Sequence, residues 1–107
     1  MAEEFKLING YENYMVSNFG NVKNSKTGRI LKLVIIGLEH SRYYAVNLYK
    51  DGIRTSKTIH KLVAYAFLQN SENKKCVDHI NNDKLNNNLT NLRWATQQEN
   101  CQNAKFS

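Results

Sequence analysis

The sequence predicts an α+β protein in which small antiparallel β-hairpins and one short helix precede a strand, a long loop, a second strand and a closing helix. Three observations carry this expectation. Residues 10–37 hold brief apolar runs broken by Gly and Asn, the mark of short strands and turns rather than helix. Asp51-Gly52 separates two segments of alternating polarity, among the strongest local hairpin signals. Helical spacing is confined to two short stretches, one after Ile59 and one after Thr96.

In chain order, Phe5, Leu7 and Ile8 form an apolar lead-in, and Asn9-Gly10 is a turn signal that opens the ordered part. Tyr14-Met15-Val16, Val22-Lys23 and Ile30-Leu31 then read as short strands around a polar turn at Ser25-Lys26-Thr27-Gly28. Strand character continues through Leu33-Val34-Ile35-Ile36. Tyr44, Val46 and Leu48 alternate before the Asp51-Gly52 turn, and Ile53, Thr55, Lys57 and Ile59 alternate after it. Leu62, Val63, Ala66 and Phe67 fall at helical spacing, so residues 60–68 are expected to form an amphipathic helix with His60 in its first turn. Residues 70–75 are polar and connect two regions, 1–69 and 70–107, expected to make one compact unit. Residues 77–80 and 92–95 read as strands flanking a loop. Thr96 followed by Glu99 is a capping-box signature for a helix over residues 97–105.

A chain of 107 residues suits a single domain with one modest core. No apolar run approaches the roughly 20 residues that span a bilayer, so no membrane partner is expected and a cytoplasmic location is. The two cysteines, Cys76 and Cys101, match no common zinc spacing and are expected to be reduced thiols; zinc is not expected. Net charge is +6, and its distribution matters more than its size. Residues 21–61 hold nine Lys or Arg against Glu39 and Asp51, whereas the remainder carries six basic and seven acidic residues. An excess confined to one segment suits a polyanion-facing surface, although charge alone fits a solvated surface equally well. If the segment does face DNA, Lys23, Arg29, Arg42, Arg54, Lys57 and Lys61 are its candidate contacts. His60 fits either a structural role or a phosphate contact.

The chemistry-bearing residues cluster late. Asp78-His79 sets a carboxylate beside an imidazole, and Asn91 and Asn100 follow beyond an asparagine-rich loop. A carboxylate suits a hard metal ion, a histidine titrates near neutral pH and suits a general base, and carboxamides orient or ligate. Several asparagines of residues 81–88 are explained by turn chemistry alone. Adjacent residues on a regular strand point to opposite faces, so Asp78 and His79 can serve one phosphate only where the strand ends and the loop bends. Arg93 fits a phosphate contact or a plain surface position, and Trp94 is expected in the core.

The stretch VDHINNDKLNNNLTNLRWATQQENCQN, residues 77–103, resembles the HNH endonucleases of the phage and intron homing type, a branch of the ββα-metal nucleases. Upstream, GYENYMVSNFGNVKNSKTGRIL, residues 10–31, is similar to the modular DNA-binding motif that often precedes such nucleases, and the hairpin and helix of residues 43–68, ending in IHKLVAYAF, look like their usual N-terminal flank. The resemblance implies an enzyme, a metal-dependent DNA endonuclease with His79 as general base and Asn91 orienting it across the loop. It implies that Asp78 and Asn100 bind one divalent ion, Mg²⁺ first and Mn²⁺ as the alternative, in contact with the scissile phosphate. The implied partner is double-stranded DNA, met by a monomer or homodimer, and a phage-encoded chain would act in the bacterial cytoplasm. The competing expectation is an inactive DNA-binding module derived from such an enzyme.

Overall fold

The computed structural model describes residues 2–39 and 41–99. Among these residues, eight strands and the helix that follows the sixth are arranged as three small antiparallel sheets around that helix. Strands β1 (Phe5–Ile8), β2 (Tyr11–Ser17) and β3 (Val22–Asn24) form the first sheet in chain order. The β1/β2 pairing shifts register between Leu7 and Ile8, and Gly10, with φ of 84°, supplies the left-handed position the tight turn requires. β1 is the one element that the sequence reading left as a lead-in rather than a strand. Its pairing with β2 runs from Phe5 opposite Ser17, a contact that local pattern does not reveal.

Strands β4 (Val34–Ile36), β5 (Tyr43–Lys50) and β6 (Ile53–Thr58) make the second sheet. Asp51 and Gly52 both take positive φ, 53° and 78°, so the β5/β6 turn has the paired left-handed residues that a two-residue hairpin favours. Helix α1 (Ile59–Phe67) follows β6 directly. Its apolar spacing buries Ile59, Leu62, Val63 and Ala64 on one face, and Leu68 returns to extended backbone and ends it.

α1 packs against strands of all three sheets and so becomes the centre of the molecule. Val16, Val22, Val46, Leu48, Ile59 and Val63 are fully buried around it, and Val77 and Leu92 of the third sheet join the same cluster. Each such side chain contributes on the order of 1.5–3 kcal/mol of apolar burial. Trp94 lies at the edge of this core rather than within it: its indole donates to the Leu68 carbonyl at 3.1 Å, and Tyr65 meets it edge-on.

The third sheet is a hairpin of β7 (Cys76–His79) and β8 (Leu92–Ala95). After it, residues 97–99 turn helical. The capping box is present: Thr96 N–H donates to Glu99 Oε1 at 2.9 Å, and Glu99 N–H donates to Thr96 Oγ1 at 3.1 Å. The remainder of the helix expected over residues 97–105 lies outside the described residues.

Candidate active site

The β7/β8 hairpin places the Asp-His pair at the point where its first strand ends. His79 is the last residue of β7, and its carbonyl accepts from Asn82 N–H at 2.9 Å as Asn82 turns to a φ of 64°. This is the strand-end geometry that two neighbouring residues need in order to serve one site. The loop of residues 80–91 is then built from side chain to backbone turns, in which the carboxamides and carboxylate of Asn81, Asp83, Asn86 and Asn88 each accept from the N–H two residues on. Asn91 spans that loop: its Oδ1 accepts from Asn81 N–H at 3.0 Å and its Nδ2 donates to the Asn86 carbonyl at 3.0 Å. Its own carbonyl accepts from Ile80 N–H at 2.8 Å, so it pins the backbone next to His79.

Among the described residues, the side chain hydrogen-bonded to the imidazole is that of Asn87, which sequence reasoning passed over among its like neighbours. Its Oδ1 lies 2.8 Å from His79 Nε2, and both side chains are buried. A carboxamide oxygen only accepts, so Nε2 carries the proton and the basic lone pair belongs to Nδ1.

Burial lowers the His79 pKa, while the Asn87 hydrogen bond and the charges of Asp78 and Asp83 pull it up; burial prevails and the ring is neutral at pH 7. Asp78 is 3% exposed and opposes Arg93 across the hairpin. Arg93 Nε and Nη2 both reach Asp78 Oδ2, at 2.9 and 2.8 Å. The guanidinium expected on DNA phosphate is thus engaged with the candidate metal ligand, although it stays half exposed.

His60 requires a correction. It is 6% exposed, an interior ring rather than a surface phosphate contact, tilted against His79 and Tyr43 with ring centres 5.0 and 5.1 Å away. As the second residue of α1, it faces inward where that helix meets the hairpin, a placement set by packing rather than by local pattern. Burial, then repulsion from His79 and Lys61, pushes its pKa from 6.5 to about 3, and its Nδ1 has no hydrogen-bond partner among the described residues. The unfolded chain therefore binds a proton between pH 6.5 and 3 that the folded chain refuses, so stability falls as pH drops through that window. At pH 4.5 this contribution is on the order of 2–3 kcal/mol below its value at pH 7.5. Urea unfolding at the two pH values, wild type against His60→Phe, reads it directly; an equal loss in both proteins contradicts the assignment.

Arg29, Arg42, Arg54 and Lys61 are exposed, while Lys23 and Lys57 are half buried, with Lys23 4.0 Å over the Phe5 ring and Lys57 5.7 Å from the centre of Tyr11. Lys84, not anticipated, sits 5.4 Å over Tyr43 and brings a cation close to the imidazole pair. An open groove of about 690 Å³ between β1, β6 and α1 is lined by Lys57, Lys61, Tyr11 and Tyr65, away from Asp78 and His79. Asn100 lies outside the described residues.

A buried carboxylate and a neutral, oriented imidazole at the mouth of an asparagine-laced loop define the constellation of a nuclease of the HNH type. Residues 57–102 match the family model described as HNH endonuclease, and residues 3–49 match the NUMOD4 motif; the chain carries an HNH endonuclease domain preceded by that motif. Among solved structures it matches one titled "DNA binding and cleavage by the HNH homing endonuclease I-HmuI", with a TM-score of 0.83 and 40% identity, over 96% of this chain and 58% of that one. DNA endonuclease I-HmuI of Bacillus phage SP01 is 42% identical over 94% of this chain and 56% of its own length. The uncharacterized HNH endonuclease L247 of Acanthamoeba polyphaga mimivirus is 51% identical over 91% of this chain but only 24% of its own. The chain thus spans between about a quarter and just over half of the curated relatives it matches.

Proposed function

We propose that this chain is a divalent-metal-dependent endonuclease that hydrolyses phosphodiester bonds in double-stranded DNA, with His79 as general base. The single observation that carries the reading is the Asn87–His79 hydrogen bond at 2.8 Å, which orients the imidazole at the strand end beside the Asp78 carboxylate. His79 Nδ1 takes a proton from the attacking water, the new phosphorus–oxygen bond forms in line, and the bond to the 3′ oxygen breaks. Asn91 holds the strand end that carries His79, and Arg93 holds the Asp78 carboxylate in place.

The donor set suits a hard cation. Among the described residues no group of three or more His, Cys, Asp or Glu could hold a metal alone, whereas an ion such as Mg²⁺ needs only one or two protein oxygens beside water and phosphate. Asp78 and the carboxamide oxygen of Asn100 would hold it, with Mn²⁺ as the alternative occupant. When bound, such an ion neutralises charge that builds on the phosphate oxygens. Supercoiled plasmid incubated with Mg²⁺ tests the reading, with conversion to nicked or linear DNA as the expected result.

Residues 1–69 would dock the duplex and residues 70–107 would carry the chemistry, as one compact unit. It would act in the cytoplasm, as a monomer or homodimer; no helix among the described residues is long and apolar enough to cross a membrane. Arg54 on β6 is exposed and Lys57 half buried on the same strand, a ribbon whose charge suits phosphate contacts. Their joint replacement by Ala is expected to weaken DNA binding and to reduce the slope of log affinity against log salt by roughly one unit per lost phosphate contact. Fluorescence anisotropy across a salt series measures this, and an unchanged slope removes the ribbon from the interface.

A further inference from the structure

Resting on the nuclease reading, we propose that the Ser17–Gly20 turn between β2 and β3 is a positioning element for His79, acting through Asn87. The turn belongs to the N-terminal motif, yet it is locked into the interior. Ser17 and Asn18 are 0% and 3% exposed. Ser17 Oγ accepts from the N–H groups of Phe19 and Asn21, both at 3.1 Å, and donates to Glu3 Oε2 at 2.7 Å. Asn18 Oδ1 accepts from Glu4 N–H at 2.8 Å, and its Nδ2 donates to the Ala2 carbonyl at 3.1 Å.

So fixed, the turn meets the 80–91 loop at two places. The Asn18 carbonyl accepts from Leu89 N–H at 2.8 Å. Gly20 sits against Asn87 itself: a Cβ on Gly20 would lie 3.2 Å from Asn87 Cβ, 3.3 Å from the Asn87 carbonyl oxygen and 3.4 Å from Ile59 Cγ2. The φ of Gly20 is +88°, a conformation that L side chains rarely adopt. The turn chemistry of the loop explains how Asn81, Asp83, Asn86 and Asn88 are held. None of those bonds sets the side chain of Asn87, which is backed from outside by Gly20. The contact therefore lands on the residue that holds the imidazole. A turn serving only to attach the first sheet could have rested anywhere on the hairpin.

A methyl group at position 20 must displace Asn87 by a few tenths of an ångström, enough to spoil a 2.8 Å hydrogen bond and release the ring. Gly20→Ala is expected to lower kcat on the order of 10- to 100-fold while DNA affinity stays within about twofold, as for loss of other orienting partners. The test is a double-mutant cycle of Gly20→Ala with Asn87→Ala, read as single-turnover cleavage at saturating plasmid. Imidazole ¹⁵N spectra of each protein, taken in parallel, report which His79 nitrogen carries the proton.

In the Asn87→Ala background, Gly20→Ala should cost less than about twofold, because the partner through which it acts is gone. A full additional loss there, or a Gly20→Ala protein with unaltered kcat and an unaltered Nε2–H signal, overturns the proposal. Gly20→Asn, which tolerates positive φ better while placing the same Cβ, should be more stable than Gly20→Ala yet equally slow. If neither Gly20 variant folds in either background, Gly20 serves the fold alone and the proposal fails. Should the wild type itself not cleave DNA, the nuclease reading falls, and the ¹⁵N spectra still decide whether Gly20 positions His79.

Discussion

Replacing His79 by alanine is expected to abolish plasmid cleavage while leaving DNA affinity within a few-fold of wild type. The imidazole is buried, neutral and held by Asn87, so its removal takes away the proton acceptor without altering the basic ribbon of β5 and β6. A positioned general base is worth roughly 10²- to 10⁴-fold in rate. Single-turnover cleavage alongside anisotropy measures both quantities. Because burial outweighs the raising influences of Asn87 and Asp78, the wild-type rate should hold through neutral pH and decline only below 6.5 as His79 protonates. Full activity in His79→Ala, or an acid limb above pH 7, removes His79 from this role.

Chelation should have an effect of comparable size. With EDTA the wild type is expected to bind DNA and leave it intact, and excess Mg²⁺ should restore cleavage. Asp78→Asn should behave as the chelated protein does at low Mg²⁺, since a carboxamide in place of the carboxylate gives up the charge that draws a hard cation. The same substitution also costs the Arg93 pair its anion, with Arg93 Nη2 now 2.8 Å from Asp78 Oδ2. Thermal melting therefore has to accompany the assay: a folded Asp78→Asn protein that cleaves normally at limiting Mg²⁺ contradicts the assignment of Asp78.

Much of this site was legible because its logic is local. The Asp51-Gly52 turn, the apolar spacing of α1 and the Thr96–Glu99 capping box each depend on residues a few positions apart, and each appears as the sequence implies. The Asp-His pair at a strand end followed from the pleat of a strand and the loop beginning at Ile80. What escaped depends on packing between distant segments. β1 is defined by its partner β2, His60 is turned inward by the seating of α1 on the hairpin, and Asn87 differs from Asn86 and Asn88 only in what lies beside it. The Asp78–Arg93 pair lay between these cases. Pairing His79 with Leu92 across the loop sets Asp78 opposite Arg93, an opposite-charge cross-strand pair that the register alone could have revealed.

The chain is expected to cut DNA with its own Asp78 and His79. The most direct measurement incubates supercoiled plasmid with the purified chain and Mg²⁺, with and without EDTA, beside His79→Ala. Nicked or linear product from the wild type alone, lost with EDTA, is the predicted result. Intact plasmid under every divalent metal, from a folded protein that still binds DNA, would contradict the claim and leave an inactive DNA-binding module.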